Sequence, residues 1–147
     1  MAPKTMCILG DEAAGKKTLT GHLVFTCGAS LPEIELLEKS RVRDYRGIAT
    51  LYRQQGRPVS FYGPSAQYTV TDVPGNAHVA LWVVDASADD HGASSSQRLE
   101  TLLSSGEFRV DEQLIIIATK MDLNNWSETV FAQVAHSFAK IKPAQFK

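Results

Sequence analysis

Short apolar runs alternate along this chain with stretches in which apolar residues recur at helical spacing. Residues 5–9 read as an apolar strand, residues 10–15 as a loop, and residues 16–27 as a helix that stops at Gly28. Residues 32–43 predict a second, charged helix with Ile34, Leu37 and Arg41 at helical spacing. Residues 49–53 and 58–62 suggest a hairpin around Gln54, Gln55, Gly56 and Arg57. Residues 67–71 are a Thr, Tyr and Val strand. Residues 79–86 are continuously apolar up to Asp85, as expected of a central strand with both faces covered. A polar loop over 89–96 leads into a helix over 97–105 with Leu99, Leu102 and Leu103 on one side. Residues 114–118 form another buried strand, and residues 126–141 an amphipathic helix presenting Val130, Val134, Phe138 and Ile141. Strands alternating with helices predict an α/β fold with a mostly parallel sheet, in which ligands sit beyond the carboxyl ends of the strands.

Composition narrows the function. The 147 residues suffice for one domain, and 44% hydrophobic with 21% charged residues is ordinary globular usage. Fifteen Lys and Arg stand against 16 Asp and Glu, a net charge of −1, so no general basic field favours nucleic acid or an anionic membrane. The longest apolar runs, 79–84 and 114–118, fall far short of the ~20 residues of a membrane-spanning helix. Met1, Ala2, Pro3 and Lys4 lead straight into a strand, and no signal peptide is expected. Cys7 and Cys27 are too few for a disulfide framework and have no zinc-like spacing, which points to a cytoplasmic protein with reduced thiols. His22, His78, His91 and His136 are scattered and read as structural or solvated. Asp89 and Asp90 read as a solvated turn, Trp82 as core, and Trp126 as the packing anchor of the last helix.

Three motifs carry chemistry. Gly10, Asp11, Glu12, Ala13, Ala14, Gly15 and Lys16 have the spacing G-x-x-x-x-G-K between a strand and a helix. Successive backbone N–H groups and the helix N-terminus favour phosphate there, the glycines allow close approach, and Lys16 supplies a point charge. The next position calls for a hydroxyl that ligates Mg²⁺, but it holds Lys17, with Thr18 following. Either Lys17 neutralises phosphate in the metal's place, or it is simply solvated. Asp11 and Glu12 add negative charge, which weighs toward weak binding. Asp72, Val73, Pro74 and Gly75 fit D-x-x-G, in which the Asp holds a metal through water and the Gly N–H meets a γ-phosphate. Thr119, Lys120, Met121 and Asp122 fit [NT]-K-x-D. The Asp122 carboxylate can accept from N1–H and the 2-amino group of guanine, a donor pair adenine lacks, while the Lys120 stem packs across the base.

In this order the motifs resemble the GTP-binding domain of translational GTPases, with elongation factor 1-alpha the nearest likeness. The segment 10–28, with Gly21, His22, Leu23, Cys27 and Gly28, is similar to that family's phosphate loop and first helix. Residues 34–39 resemble part of its switch I, Arg46, Gly47 and Ile48 its R-G-I-T element, and residues 113–122 its guanine-recognition strand and loop. The resemblance implies a three-layer αβα, P-loop NTPase-like fold over residues 1–147, as a single degenerate G domain without β-barrel domains. It also exposes departures. Ala49 stands where the family has a metal-binding, phosphate-sensing Thr. Thr50 lies beside it, but in a strand it would point to the other face. Asn76 stands in place of the water-orienting His, and the switch II helix after Gly75 is missing. The last strand and the guanine loop are expected beyond Ile141 and have no match. Ser137, Phe138, Ala139 and Lys140 mimic that loop in letters but fall in a predicted helix.

These readings lead to a guanine-nucleotide-binding protein, with GTP or GDP as ligand and GTP hydrolysis weak or absent. Mg²⁺ is not expected, because Lys17 replaces its ligand, and Asp72 is the one weak metal candidate. No residue is assigned as catalytic. The other reading is a nucleotide-free pseudo-GTPase acting as a protein-interaction module. Loss of a crossover helix should leave apolar surface for a protein partner or a homodimer. Contact with a membrane is not expected, nor is tRNA binding without the barrel domains. A P-loop kinase acting on ATP would leave residues 119–122 unexplained.

Overall fold

The computed structural model describes residues 2–141. The elements are β1 (Pro3–Gly10), α1 (Lys16–Gly28), α2 (Leu31–Lys39), α3 (Tyr45–Gln54), β2 (Ser60–Tyr62), β3 (Gln67–Thr71), β4 (Asn76–Asp85), α4 (Ala93–Ser105), β5 (Arg109–Thr119), a 3₁₀ turn (Met121–Asn124) and α5 (Glu128–Phe138). The sheet order is β2-β3-β1-β4-β5, with β3, β1, β4 and β5 parallel and β2 antiparallel at one edge. One sheet face packs Met6, Ile8, Val70, Leu81 and Val83 against α1, α2 and α3 through Val24, Leu37, Ile48 and Tyr52. The other packs Cys7, Leu9, Ala80, Trp82 and Val84 against α4 and α5 through Leu99, Leu103, Val134 and Phe138. This is the expected three-layer α/β arrangement.

The predicted hairpin over 49–53 and 58–62 is wrong in its first half. Residues 49–53 lie inside α3, because Tyr45, Ile48, Ala49 and Tyr52 repeat at helical spacing and Asp44 caps the start, accepting from Gly47 N at 2.9 Å. The strand Ser60–Tyr62 does enter a hairpin, but with β3, through a turn closed by Gly63 N donating to Ala66 O at 2.9 Å. Helix α2 ends at Lys39, not at residue 43, and Arg41 beyond it adopts a left-handed conformation (φ 57°). Helix α4 begins at Ala93, inside the predicted polar loop. Asp90 accepts from Gly92 N and Ser94 N at its start, and Ser95 and Ser96 are buried. The helix α5 starts after Ser127, and Trp126 is no anchor: it is 73% exposed with φ 54°. Helix α5 ends at Phe138, not at residue 141, so Ser137 and Phe138 of the look-alike loop are helical as expected while Ala139 and Lys140 form the turn that follows. The expected absence of a last strand beyond Ile141 lies outside the described residues.

The connection between β3 and β4 decides the shape of the site. Thr71 is level with Cys7 of β1, whereas β4 begins at Asn76, near the level of Pro3 on the other side of β1. The chain must retreat about 13 Å and cross two strand spacings, a span of about 16 Å. From Thr71 to Asn76 it can reach at most about 18 Å, so residues 72–75 run as an extended strap with no room for a helix. The strap crosses β1 over Cys7, whose Sγ donates to Val73 O at 3.4 Å. The missing switch II helix is therefore a real feature of the fold. Thr5, Thr69 and Thr71 line the uncovered outer face of β1 and β3, which keeps most of that face polar. An apolar cavity of about 610 Å³ remains beside the strap, lined by Leu9, Pro74, Trp82 and Leu102 with Lys16 and Arg98 at its rim.

Candidate functional site

The phosphate-type loop leaves β1 at Gly10, whose φ of 137° and contact with β4 exclude a side chain. A Cβ there would lie 2.0 Å from Val83 O. Asp11 N donates to that same carbonyl at 2.8 Å, locking the loop to β4. Gly15, at φ 99°, turns the chain into α1, and Leu19 N donates to Gly15 O at 2.9 Å. The backbone N–H groups of residues 12, 13 and 15–18 have no partner among the described residues, and no side chain caps the helix. The result is a ring of amides at the positive end of a helix, open to solvent.

The loop's charges are arranged differently from the sequence expectation. Asp11 turns inward: one carboxylate oxygen accepts from Asp85 N at 2.8 Å, and the other pairs with Arg98. Its negative charge is thus neutralised inside the fold, and it does not face the amide ring. Glu12, Lys17 and Thr18 are exposed, so none of them plugs the ring. Lys16 folds back on the loop, its Nζ donating to Gly10 O at 3.1 Å. Ala14 is buried, and its carbonyl accepts from Thr119 Oγ1 at 2.7 Å. The same hydroxyl lies 3.1 Å from Val84 O, so its one proton is shared between the two carbonyls, and the shorter bond ties the end of β5 to the phosphate-type loop.

Beyond Thr119 the [NT]-K-x-D loop is held from below by residues that sequence reasoning missed. Lys120, in a left-handed conformation, pairs through Nζ with Asp85 at 3.1 Å. Asp85 also accepts from Ser87 N at 2.9 Å and Ser87 Oγ at 2.5 Å. Burial works to raise the Asp85 carboxyl, but the bonds from Ser87 and Lys120 outweigh it and hold the group below the usual carboxylate range. Asn124 Nδ2 donates to Ala86 O at 2.9 Å and fixes the 3₁₀ turn. The signal available in the sequence was an aspartate closing an otherwise unbroken apolar strand. Asp122 is exposed, and its carboxylate has no partner among the described residues.

The D-x-x-G residues do not join this site. Asp72 is exposed and pairs with Arg53 at 3.4 Å. Gly75 is carried by the strap to the opposite end of the sheet, where its carbonyl accepts from Arg109 N at 3.1 Å. Val83, not Asn76, is level with Gly10, and the run of β4 between them covers about 23 Å at ~3.3 Å per residue. The expectation that Gly75 meets a phosphate is therefore corrected. The argument about Thr50 also changes. Ala49 and Thr50 are neighbours in α3, not in a strand, and Ala49 is fully buried against the core while Thr50 is exposed.

The chain matches no protein-family model. It is 27% identical to elongation factor 1-alpha of Neurospora crassa over 158 residues, covering 86% of this chain and 34% of that protein. It is 27% identical to elongation factor 1-alpha of Coccidioides immitis over 160 residues, covering 88% and 35%, and 26% identical to elongation factor 1-alpha-B of Schizosaccharomyces pombe, covering 86% and 34%. The chain thus spans about a third of the length of these relatives. Among solved structures it is similar to Sup35 complexed with GDP, at a TM-score of 0.62 and 19% identity over 94% of this chain and 32% of that one. The Sup35 complex with GMPPNP gives a TM-score of 0.63 and 18% identity, with the same coverage. The chain is thus similar in sequence to part of elongation factor 1-alpha, and its fold is that of the matching part of the Sup35 structures.

Proposed function

We propose that the protein binds guanine nucleotide, GTP or GDP, with little or no GTP hydrolysis. The observation that carries this reading is the open ring of amides over residues 12–18, hydrogen-bonded through Thr119 to the loop that bears Asp122. Phosphate oxygens accept from those amides at the helix N-terminus. Lys16 gains an outer phosphate by swinging from the Gly10 carbonyl. Asp122 accepts from the guanine N1–H and 2-amino group, while Asp85 orients Lys120 beside the base. The elongation factor 1-alpha relatives and the Sup35 complexes with GDP and GMPPNP support the same ligand class.

The residues present do not fit a nucleotide-bound Mg²⁺. Lys17 brings an ammonium where a hydroxyl is required, Asp72 is engaged by Arg53, and Ala49 is buried without a ligating atom. Lys17, exposed at the first turn of α1, supplies positive charge to phosphate instead. Hydrolysis depends on positioned charge and a positioned water, and the strap removes Gly75 and Asn76 from that task. The same displacement favours a second reading, a nucleotide-free pseudo-GTPase that serves as a protein-interaction module.

Calorimetry with GTP, GDP and ATP, each with and without EDTA, separates these. GTP and GDP are expected to bind, ATP to fail, and chelation to change nothing. Lys16→Ala should abolish binding. Asp122→Asn should cost guanine nucleotides about 1.5–3 kcal/mol, the worth of hydrogen bonds to a charged acceptor. Absence of GTP and GDP binding at millimolar concentration overturns the proposal in favour of the second reading. Binding that collapses on chelation overturns only the part assigned to Lys17.

A further inference from the structure

The cavity beside the strap, about 610 Å³, falls within the roughly 300–1,000 Å³ of small-molecule sites. Its floor is apolar and fixed. Leu9 and Trp82 are buried strand residues, and the Trp82 indole is held by its bond to Ser95 Oγ at 2.8 Å. Pro74 of the strap and Leu102 of α4 add apolar walls. The lining includes two cations, Lys16 and Arg98, and no carboxylate. Lys16 uses one N–H on Gly10 O, and Arg98 uses part of its guanidinium on Asp11. Asp11 does not line the cavity, and its two carboxylate oxygens are taken by Asp85 N and Arg98. The other N–H groups of both cations have no partner among the described residues. Nothing among those residues fills the space. The last of them lie across α4, where Lys140 pairs at 3.3 Å with Glu100, on the opposite side of that helix from Arg98.

We infer that this cavity binds a small organic anion, its flat apolar body seated on Leu9 and Trp82 and its carboxylate, sulfonate or phosphate group held by Lys16 and Arg98 at the rim. An apolar floor alone would accept any apolar group, and the rim makes the choice. An anion gains charge-assisted hydrogen bonds from the ammonium and the guanidinium. An uncharged body of the same shape would take water from both cations and give nothing back. A cation would be repelled. The sheet closes the floor and the strap closes one side, so the space takes a compact ligand rather than a running length of peptide. Lys16 enters here only as a cation in the folded chain, so the inference does not rest on nucleotide binding.

The probe is 8-anilinonaphthalene-1-sulfonate, which joins aromatic rings to one sulfonate and brightens in apolar surroundings. The uncharged comparison is N-phenyl-1-naphthylamine. In a Trp126→Phe background Trp82 is the only tryptophan. The sulfonate dye should then bind saturably, one per chain, and quench Trp82, whereas the uncharged dye should bind at least about tenfold more weakly. Arg98→Gln and Lys16→Gln should each weaken the sulfonate dye at least about fivefold, and Arg98→Lys should restore most of that loss. Thr101→Phe, at an exposed position of the lining, should fill the space and abolish binding. Phe131→Ser, in a separate apolar hollow, should change nothing. A cooperative melt is required of each variant, and if a glutamine variant lacks one, Thr101→Phe and the uncharged dye decide. Absence of saturable binding overturns the inference, whether the cavity is then filled by residues 142–147 or by a second copy. Equal affinity for the two dyes, or binding indifferent to Thr101→Phe, also overturns it. No nucleotide is present, so failure here leaves the proposed function standing, and failure of GTP to bind leaves this site standing.

Discussion

The residue that most changes the electrostatics of the loop is Asp11. By position alone it repels phosphate, but its carboxylate is spent on Asp85 N and Arg98 beneath the loop. Cys7 shows the same dependence on surroundings. The strap covers it, and burial, followed by the nearby Asp72 carboxylate, pushes its thiol up to about 12. Its folded value lies above the ordinary one, so the stability tied to the neutral thiol is complete below about pH 9 and is lost as pH rises toward 12. Iodoacetamide at pH 8 is expected to label exposed Cys27 and to spare Cys7 until the protein unfolds. Thermal melts between pH 8 and 10.5 should show a steeper alkaline loss for the wild type than for Cys7→Ala. Equal labelling of the two thiols, or parallel melting curves, would contradict this account.

Among the elements, the packing of α3 on α1 is the tightest constraint. A Cβ at Gly21 would lie 1.7 Å from Tyr45 O, a backbone atom that cannot step aside, and His22 stacks on the Tyr45 ring at 4.5 Å. Gly21→Ala is therefore expected to cost at least about 3 kcal/mol, read as a shift in a denaturant midpoint. Gly75 provides the contrast. A Cβ there meets nothing within 4 Å, so Gly75→Ala should change stability by less than about 0.5 kcal/mol and leave nucleotide affinity unchanged. A loss of GTP binding in Gly75→Ala would mean that the strap approaches the phosphates after all. Helix α3 was readable from Asp44 and the spacing of Tyr45, Ile48, Ala49 and Tyr52, and starting the window at Ala49 hid both signals.

For the whole molecule, cohesion runs through the centre of the sheet. Strand β4 is paired on both sides and buried over most of its length, whereas β2 is a short edge strand. Native-state hydrogen exchange should therefore protect β1 and β4 amides longest and release β2 and the β2–β3 turn early. Early exchange in β4 would show that the strap fails to hold the two halves of the sheet as one unit. The cavity beside the strap does not weaken this expectation, because Trp82 at its floor is buried and donates through Nε1 to Ser95 Oγ at 2.8 Å.

The amino-acid sequence alone determined the alternating strands and helices, the phosphate-type loop between β1 and α1, and the placement of Thr119, Lys120 and Asp122 after a strand. These follow from local spacing and backbone preference, which a linear chain displays. Tertiary structure decided where charges point and how far segments travel. Asp11 is neutralised by groups far along the chain, Lys120 is set by Asp85, and Gly75 is hauled to the far end of the sheet because so short a connection must span a strand. Such facts depend on distances between residues remote in sequence, and only the packed sheet fixes those distances.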